Sequence, residues 1–249
     1  MNKVVTIAGM DPSAGAGLLA DIKTFESHGI YGMVVCTAIT VQNEDEFESC
    51  TWSGKEDILN QINTIYKLHN IDWVKIGLVQ DLTTLELIVD KLVLLNPHVN
   101  IIWDPIMKAS AGFTFHQYFE SSHLEPLLKK LFLITPNLEE MRALAPELDQ
   151  MQALASMSKL CNVLLTGGHG TGSSSNDLLA MDGDVIEIPG ERFLGYDKHG
   201  TGCVLSSAIL ANLADGNDLE TSCRKAKEYT SAFILSSDTK LGYHKQMVL

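Results

Sequence analysis

The chain has 249 residues, with 18 Lys and Arg against 31 Asp and Glu, for a formal charge of -13 at pH 7. An acidic balance of this size argues against a nucleic-acid partner, because phosphate backbones are held mainly by Lys and Arg. At 45% apolar and 20% charged residues the composition excludes a disordered chain, and the length allows a large core without disulfide or metal staples.

The five cysteines, Cys36, Cys50, Cys161, Cys203 and Cys223, are odd in number and scattered, with no C-x-x-C pair. They read as reduced thiols, which makes a cytoplasmic location the expectation. The apolar stretch at the start runs straight into a Gly-rich turn and is too short for a signal segment. Residues 85–95 are apolar but interrupted by Glu86, Asp90 and Lys91, well short of the ~20 residues that span a bilayer, so no membrane partner is expected.

Along the chain, short β-branched runs alternate with longer amphipathic ones. This pattern predicts a parallel sheet covered by helices. Strands are expected over residues 3–8, 33–40, 73–78, 99–103, 132–134 and 162–166, with helices over 16–28, 55–68, 83–95, 137–144 and 151–159. Beyond the GGHGTGSSS loop, the runs 177–181 and 185–189 flank Asp182-Gly183, a strong hairpin signal. Helices over 202–213 and 218–236 close the chain, and the absence of repeats or linkers predicts one domain over 1–249.

The first candidate for chemistry is GMDPSAGAG, residues 9–17, between a strand and a helix. Its glycines let backbone approach a ligand, and the helix start offers unpaired N–H groups. GAGLLA within it matches a dinucleotide pattern, but the turn is too long and no acidic residue closes the next strand. A plain Gly-rich connection is the alternative.

The second candidate is HGTGCVLSSA, residues 199–208, where a glycine turn opens a helix. Successive N–H groups there form a positive concavity suited to phosphoryl transfer. Cys203 falls in the first helical turn, where the helix dipole lowers a thiol pKa from ~8.5 towards the range of a useful base. A small buried Cys behind a glycine cap is the other reading.

Asp104 is expected at the C-terminal end of a strand, the ligand edge of an open α/β sheet, and TPNLEE places Asn137 and Glu140 on one helical face at the next strand. Such oxygen ligands suit Mg2+. Asn137 with Glu140 also reads as a capping box. No G-x-x-x-x-G-K-S/T loop, H-E-x-x-H or G-x-S-x-G element is present, which argues against a P-loop NTPase, a zinc protease and a serine hydrolase.

The ordered set GMDPSAGAGLLADIKTF, TVQNE, KIGL, DPIM, TPNLEE, GGH and HGTGCVLSSAI resembles the hydroxymethylpyrimidine/phosphomethylpyrimidine kinases, thiamine-pathway members of the ribokinase-like superfamily. The likeness implies a three-layer α/β/α sandwich with a mostly parallel central sheet, and an ATP- and Mg2+-dependent kinase. The implied substrate is 4-amino-5-hydroxymethyl-2-methylpyrimidine, phosphorylated to the monophosphate and then the diphosphate. It assigns Gly9, Asp11 and Ala16 to the pyrimidine site, Asp21 and Gln42 to the aminopyrimidine edge, and Leu78 and Ile106 to an apolar wall. Gly200, Thr201 and Gly202 match the anion hole and Cys203 the base. Asn137, Thr166, Gly168 and Lys198 fall on the nucleotide side, with Asp104 and Glu140 at Mg2+. Lys108 stands two positions earlier than the family's Lys, Thr166 replaces a Lys and Lys198 replaces a Thr, so Lys198 is expected to supply a phosphate-side cation. A homodimer is implied as well. A pyridoxal or pyridoxine kinase of the same superfamily and a non-catalytic pyrimidine-binding regulator are the competing readings.

Overall fold

The computed structural model describes residues 1–108, 112–115, 121–167 and 174–245. Strand β1 (Lys3–Met10) leads into helix α1 (Gly17–Ser27), then β2 (Tyr31–Gln42), β3 (Phe47–Trp52) and α2 (Lys55–Tyr66). Next come β4 (Trp73–Ile76), α3 (Leu82–Leu95), β5 (Asn100–Trp103), α4 (Ser121–Leu128), β6 (Leu133–Ile134), α5 (Leu138–Leu144), α6 (Gln150–Met157) and β7 (Asn162–Leu165). The hairpin β8 (Asp177–Met181) and β9 (Asp184–Ile188) follows, then α7 (Thr201–Ala214) and α8 (Leu219–Ile234).

The nine strands lie in the order β3-β2-β1-β4-β5-β6-β7-β8-β9. Strands β2, β1, β4, β5, β6 and β7 are parallel, and the antiparallel β3 and the β8–β9 pair extend the two edges. Period-2 alternation sends Ile101, Trp103, Ile134, Val163 and Leu165 into one core, with apolar residues of α2 to α6. Ile102, Leu133 and Leu164 point the other way, into a core built with α1, α7 and α8. The central strands β5, β6 and β7 are therefore buried on both faces, as expected for a three-layer sandwich.

All six expected strands form, and Asp182 and Gly183 take φ values of +52° and +89°, the left-handed pair that a tight hairpin turn requires. Two elements were not legible in the pattern. Strand β3 is a largely exposed edge strand, so it carries no apolar alternation, and α4 contains Pro126, which reads as a helix breaker. Among the described residues no helix is long and apolar enough to cross a membrane.

Strand order reverses beside β1, because the chain runs from β1 to β2 on one side and returns to β4 on the other. In open α/β sheets the crevice at such a switch point, beyond the strands' C-terminal ends, is where ligands sit. The ends of β1 and β4 carry the GMDPSAGAG loop and KIGL.

Candidate functional site

The loop after β1 is organised by Asp11. Its Oδ2 accepts hydrogen bonds from the Ser13 hydroxyl and the Ala16 N–H, both at 2.9 Å, while Oδ1 accepts from the Ser13 N–H at 2.9 Å. His199 Nε2 completes the set, 2.8 Å from Oδ2. Burial pushes the Asp11 carboxyl up, but the bonds from His199 and Ser13 outweigh it and leave it below the usual carboxylate range. Asp11 is thus a loop-organising residue whose expected contact with substrate is replaced by contacts to its own chain.

Two motifs from opposite ends of the sequence interlock here. At Gly17, φ +58°, a Cβ would stand 2.2 Å from the Gly9 carbonyl oxygen, and at Gly200, φ +79°, one would stand 2.0 Å from that of Gly15. Only glycine fits either place.

Gly200 caps α7 without a side-chain hydrogen bond, and no acidic residue occupies the first turn. Gly202 is exposed with open space beyond its Cα. The first N–H groups of α7, at 201–203, are therefore the unpaired donors of a helix start, held against the GMDPSAGAG loop. An anion with negative charge to be stabilised is what such a cradle can take.

Cys203 departs from expectation. It is buried, and burial pushes the thiol up to about 12, with Asp104 and Asp21 adding to the rise and Lys75 opposing it. The dipole argument counted only the helix, whereas the thiol is withdrawn from water among carboxylates, and desolvation wins.

Asp21, expected on a pyrimidine edge, is wholly buried. Its Oδ2 accepts from Thr6 Oγ1 at 2.6 Å, and its Oδ1 from Ser207 Oγ at 2.7 Å and Lys75 Nζ at 2.5 Å. Its carboxylate is spent on holding α1 to β1, β4 and α7. Lys75, also 0% exposed, lies between Val74 and Ile76 in β4 and points towards α1 and α7, where it also donates to the Cys203 carbonyl at 3.3 Å. Burial works against the ammonium, but Asp21 outweighs it and holds the pKa above its ordinary value. Sequence reasoning missed Lys75. A lone charge in an otherwise apolar strand was the signal that could have found it.

Gln42 ends β2, paired with Phe47, and its buried Oε1 has no hydrogen-bond partner. Leu78 is buried with its Cδ2 3.0 Å from where a Cβ on Gly9 would stand, and Ile106 Cδ1 lies 3.6 Å from the same position on Gly77. Ala16 is half-buried at the start of α1. Gly9, Leu78 and Ile106 thus gather beside the ends of β1, β4 and β5.

On the far side, Asp104 accepts from Ser206 Oγ at 3.0 Å and lies 3.9 Å from Lys75 Nζ. Asn137 and Glu140 form the expected capping box, at 2.9 Å and 2.8 Å. Burial and the Asp104 charge push Glu140 up to about 8, and burial also raises Asp104. Two buried carboxylates, one of them raised by the other's charge, are oxygen groups of the kind that suit Mg2+. Among the described residues no group of three or more His, Cys, Asp or Glu forms a closed metal site.

Thr166 bridges to Asn137 and donates its N–H to Pro136 O at 2.9 Å, so these two nucleotide-side candidates are neighbours. Gly168 lies outside the described residues. Lys198 is turned away from this side: it is 8% exposed, and its Nζ donates to the carbonyls of Ser237, at 2.6 Å, and Thr239. The expected phosphate-side cation is committed to main-chain carbonyls.

A family model described as phosphomethylpyrimidine kinase matches residues 11–248. The chain is 36% identical over 245 residues to the hydroxymethylpyrimidine/phosphomethylpyrimidine kinase of Rhizobium meliloti, covering 94% of this chain and 91% of that protein. Among solved structures, a pyridoxal kinase from Staphylococcus aureus in complex with AMP-PCP and pyridoxal superposes with a TM-score of 0.86 at 25% identity, covering 99% of this chain and 94% of that one. A phosphomethylpyrimidine kinase from Clostridium difficile gives 0.76 at 30% identity, covering 93% and 98%.

Proposed function

Because the chain belongs to the phosphomethylpyrimidine kinase family, we propose that the crevice beside β1 is where it performs its reaction, the transfer of phosphate from ATP to a hydroxymethylpyrimidine in thiamine biosynthesis. The acceptor is 4-amino-5-hydroxymethyl-2-methylpyrimidine, and its monophosphate accepts the second phosphate. The observation that carries this reading is the interlock of the two motifs, through Asp11–His199 at 2.8 Å and the close packing of Gly200 on the Gly15 carbonyl. It brings a cradle of free N–H groups to the loop that borders the apolar wall.

In this reading the ring lies against Leu78 and Ile106, beside Gly9 and Ala16, and the orphaned Gln42 Oε1 takes a hydrogen bond from the ring's amino edge. The acceptor oxygen attacks the terminal phosphorus of ATP as the P–O bond bridging to ADP breaks and ADP leaves, while the N–H groups of Thr201, Gly202 and Cys203 meet the charge that develops on the phosphoryl oxygens. Cys203 takes the hydroxyl proton, as a thiolate that its high pKa keeps scarce at neutral pH. Asn137 and Thr166 border the nucleotide, and Asp104 and Glu140 would hold Mg2+, which offsets charge between phosphate oxygens.

One domain over 1–249 is supported by the single continuous sheet, and a cytoplasmic location by five free cysteines. A homodimer is supported by Ile39 and Val41, two apart on β2 and 52% and 49% exposed. The pyridoxal kinase reading draws on the 0.86 TM-score at 25% identity, but the family match and the 36% identical relative favour the pyrimidine. The test is ADP release with Mg-ATP and hydroxymethylpyrimidine, its monophosphate, pyridoxine or ribose. Turnover of pyridoxine alone would overturn the pyrimidine assignment.

A further inference from the structure

The chain does not end at α8. Residues 236–244 turn back across the molecule, and their contacts converge on the glycine turn that opens α7. Lys198, two residues before Gly200, is held by the Ser237 and Thr239 carbonyls. The His199 N–H donates to the Lys240 carbonyl at 2.8 Å. The side chains of Leu241 and His199 close on Gly15, where a Cβ would stand 2.9 Å from Leu241 Cδ2 and 2.6 Å from His199 Cδ2. The segment is itself braced: Ser237 Oγ donates to Leu241 O at 2.5 Å, the Tyr243 N–H donates to Ser236 Oγ at 2.7 Å, and His244 Nδ1 lies 3.0 Å from the Tyr229 hydroxyl. Lys240 reaches Asp45, in the β2–β3 turn beyond Gln42, at 2.5 Å.

We propose that residues 236–244 form a strap that sets the position of the α7 N–H cradle, with Lys198 and Leu241 as its positioning residues. The proposal rests on the reading of residues 200–203 as the phosphoryl cradle. Gly200 is capped by no side chain, so its left-handed conformation is supported from outside the helix, and the strap supplies that support through both the main chain of His199 and the ammonium of Lys198. Donors aimed at developing charge act only when fixed in place, and a displacement of about 1 Å can cost on the order of 100-fold in rate. Removing the ammonium takes away the donor that ties the Ser237 and Thr239 carbonyls to the α7 turn, and frees the turn. The ordinary role of a lysine beside a phosphate cradle, a contact to the nucleotide, predicts a different outcome: weaker ATP binding that worsens as salt rises.

The experiment compares the wild-type enzyme with Lys198→Met, Lys198→Arg and Leu241→Ala, by steady-state kinetics at two ionic strengths and by amide hydrogen exchange at residues 204–207, the first hydrogen-bonded amides of α7. The expected result for Lys198→Met is a kcat lower by about 10- to 100-fold with KM for ATP and for the pyrimidine nearly unchanged, and faster exchange at 204–207. Lys198→Arg, which keeps a donor for two carbonyls, restores much of the rate. If Lys198→Met does not fold, Leu241→Ala carries the same test, since it trims the strap and leaves the ammonium in place. A raised, salt-sensitive KM for ATP at unchanged kcat overturns the proposal in favour of a nucleotide contact, and unchanged exchange overturns the strap. Faster exchange at unchanged kcat overturns the cradle reading itself, and the proposal with it.

Discussion

Lys75 Nζ and Asp21 Oδ1 lie 2.5 Å apart with neither side chain exposed, directly beneath the first turn of α7, whose Cys203 carbonyl accepts from the same ammonium at 3.3 Å. The pair joins β4, α1 and α7, and Asp104 lies 3.9 Å away at the end of β5. Taking two charges out of water costs several kcal/mol each, so removing one partner is far worse than never having the pair.

Lys75→Met therefore lowers the unfolding free energy by about 3–5 kcal/mol, because it strands the Asp21 carboxylate in a water-free site. Combining it with Asp21→Asn recovers part of the loss. Urea denaturation of the two single variants and the double variant measures the coupling, and strictly additive losses would show the two groups to be independent.

Gln42→Leu removes the orphaned Oε1 and leaves the pyrimidine's amino edge unpaired in the complex. The cost is about 1–3 kcal/mol, which is a rise of roughly 5- to 150-fold in KM for hydroxymethylpyrimidine. KM for ATP stays where it is. Pyridoxine turnover, where present, suffers less. Equal losses on both acceptors would remove Gln42 from the recognition of the amino group.

The Cys203 thiol, pushed up to about 12 by burial, ionises more readily as pH rises towards that value. If its thiolate takes the hydroxyl proton, kcat for the alcohol acceptor climbs about tenfold per pH unit between pH 7 and 9. The monophosphate acceptor has a second pKa near 6 and needs no such base, so its rate stays flat over this interval. Cys203→Ala abolishes the climb and spares much of the second reaction. A flat alcohol profile in the wild type would make Cys203 a residue that shapes the cradle.

His244, which anchors the strap to Tyr229, has its pKa lowered to about 4 by burial first and then by the nearby Lys23 and His28 charges. Between that value and the ordinary 6.5, the unfolded chain binds a proton that the folded chain refuses. The stability linked to His244 is thus full above pH 6.5 and lost as pH falls towards 4. Thermal melts at pH 7.5 and 4.5 should show a steeper loss for the wild type than for His244→Gln, and parallel losses would assign the acid sensitivity elsewhere.

How much of this was legible before folding differs from residue to residue. The six parallel strands, the Asp182-Gly183 hairpin, the Asn137–Glu140 capping box and the two glycine turns were all readable. Each depends on residues within a few positions of one another, where periodicity, capping and left-handed φ are local preferences. Strand β3 escaped because an exposed edge strand needs no apolar alternation.

The site itself divides in the same way. Residue type and order placed Gly200, Thr201, Gly202, Asp104, Asn137 and Gln42 at strand ends and helix starts, which is as far as local chemistry reaches. That Asp11 would spend its carboxylate on His199, that Asp21 would vanish beneath α7 against Lys75, that Lys198 would turn to the Ser237 and Thr239 carbonyls, and that the Cys203 thiol would rise and not fall are outcomes of tertiary structure. Burial, desolvation and partners brought from 39 to 188 positions away decide what a charged or ionisable side chain does, and those quantities come into existence only when the layers close on one another.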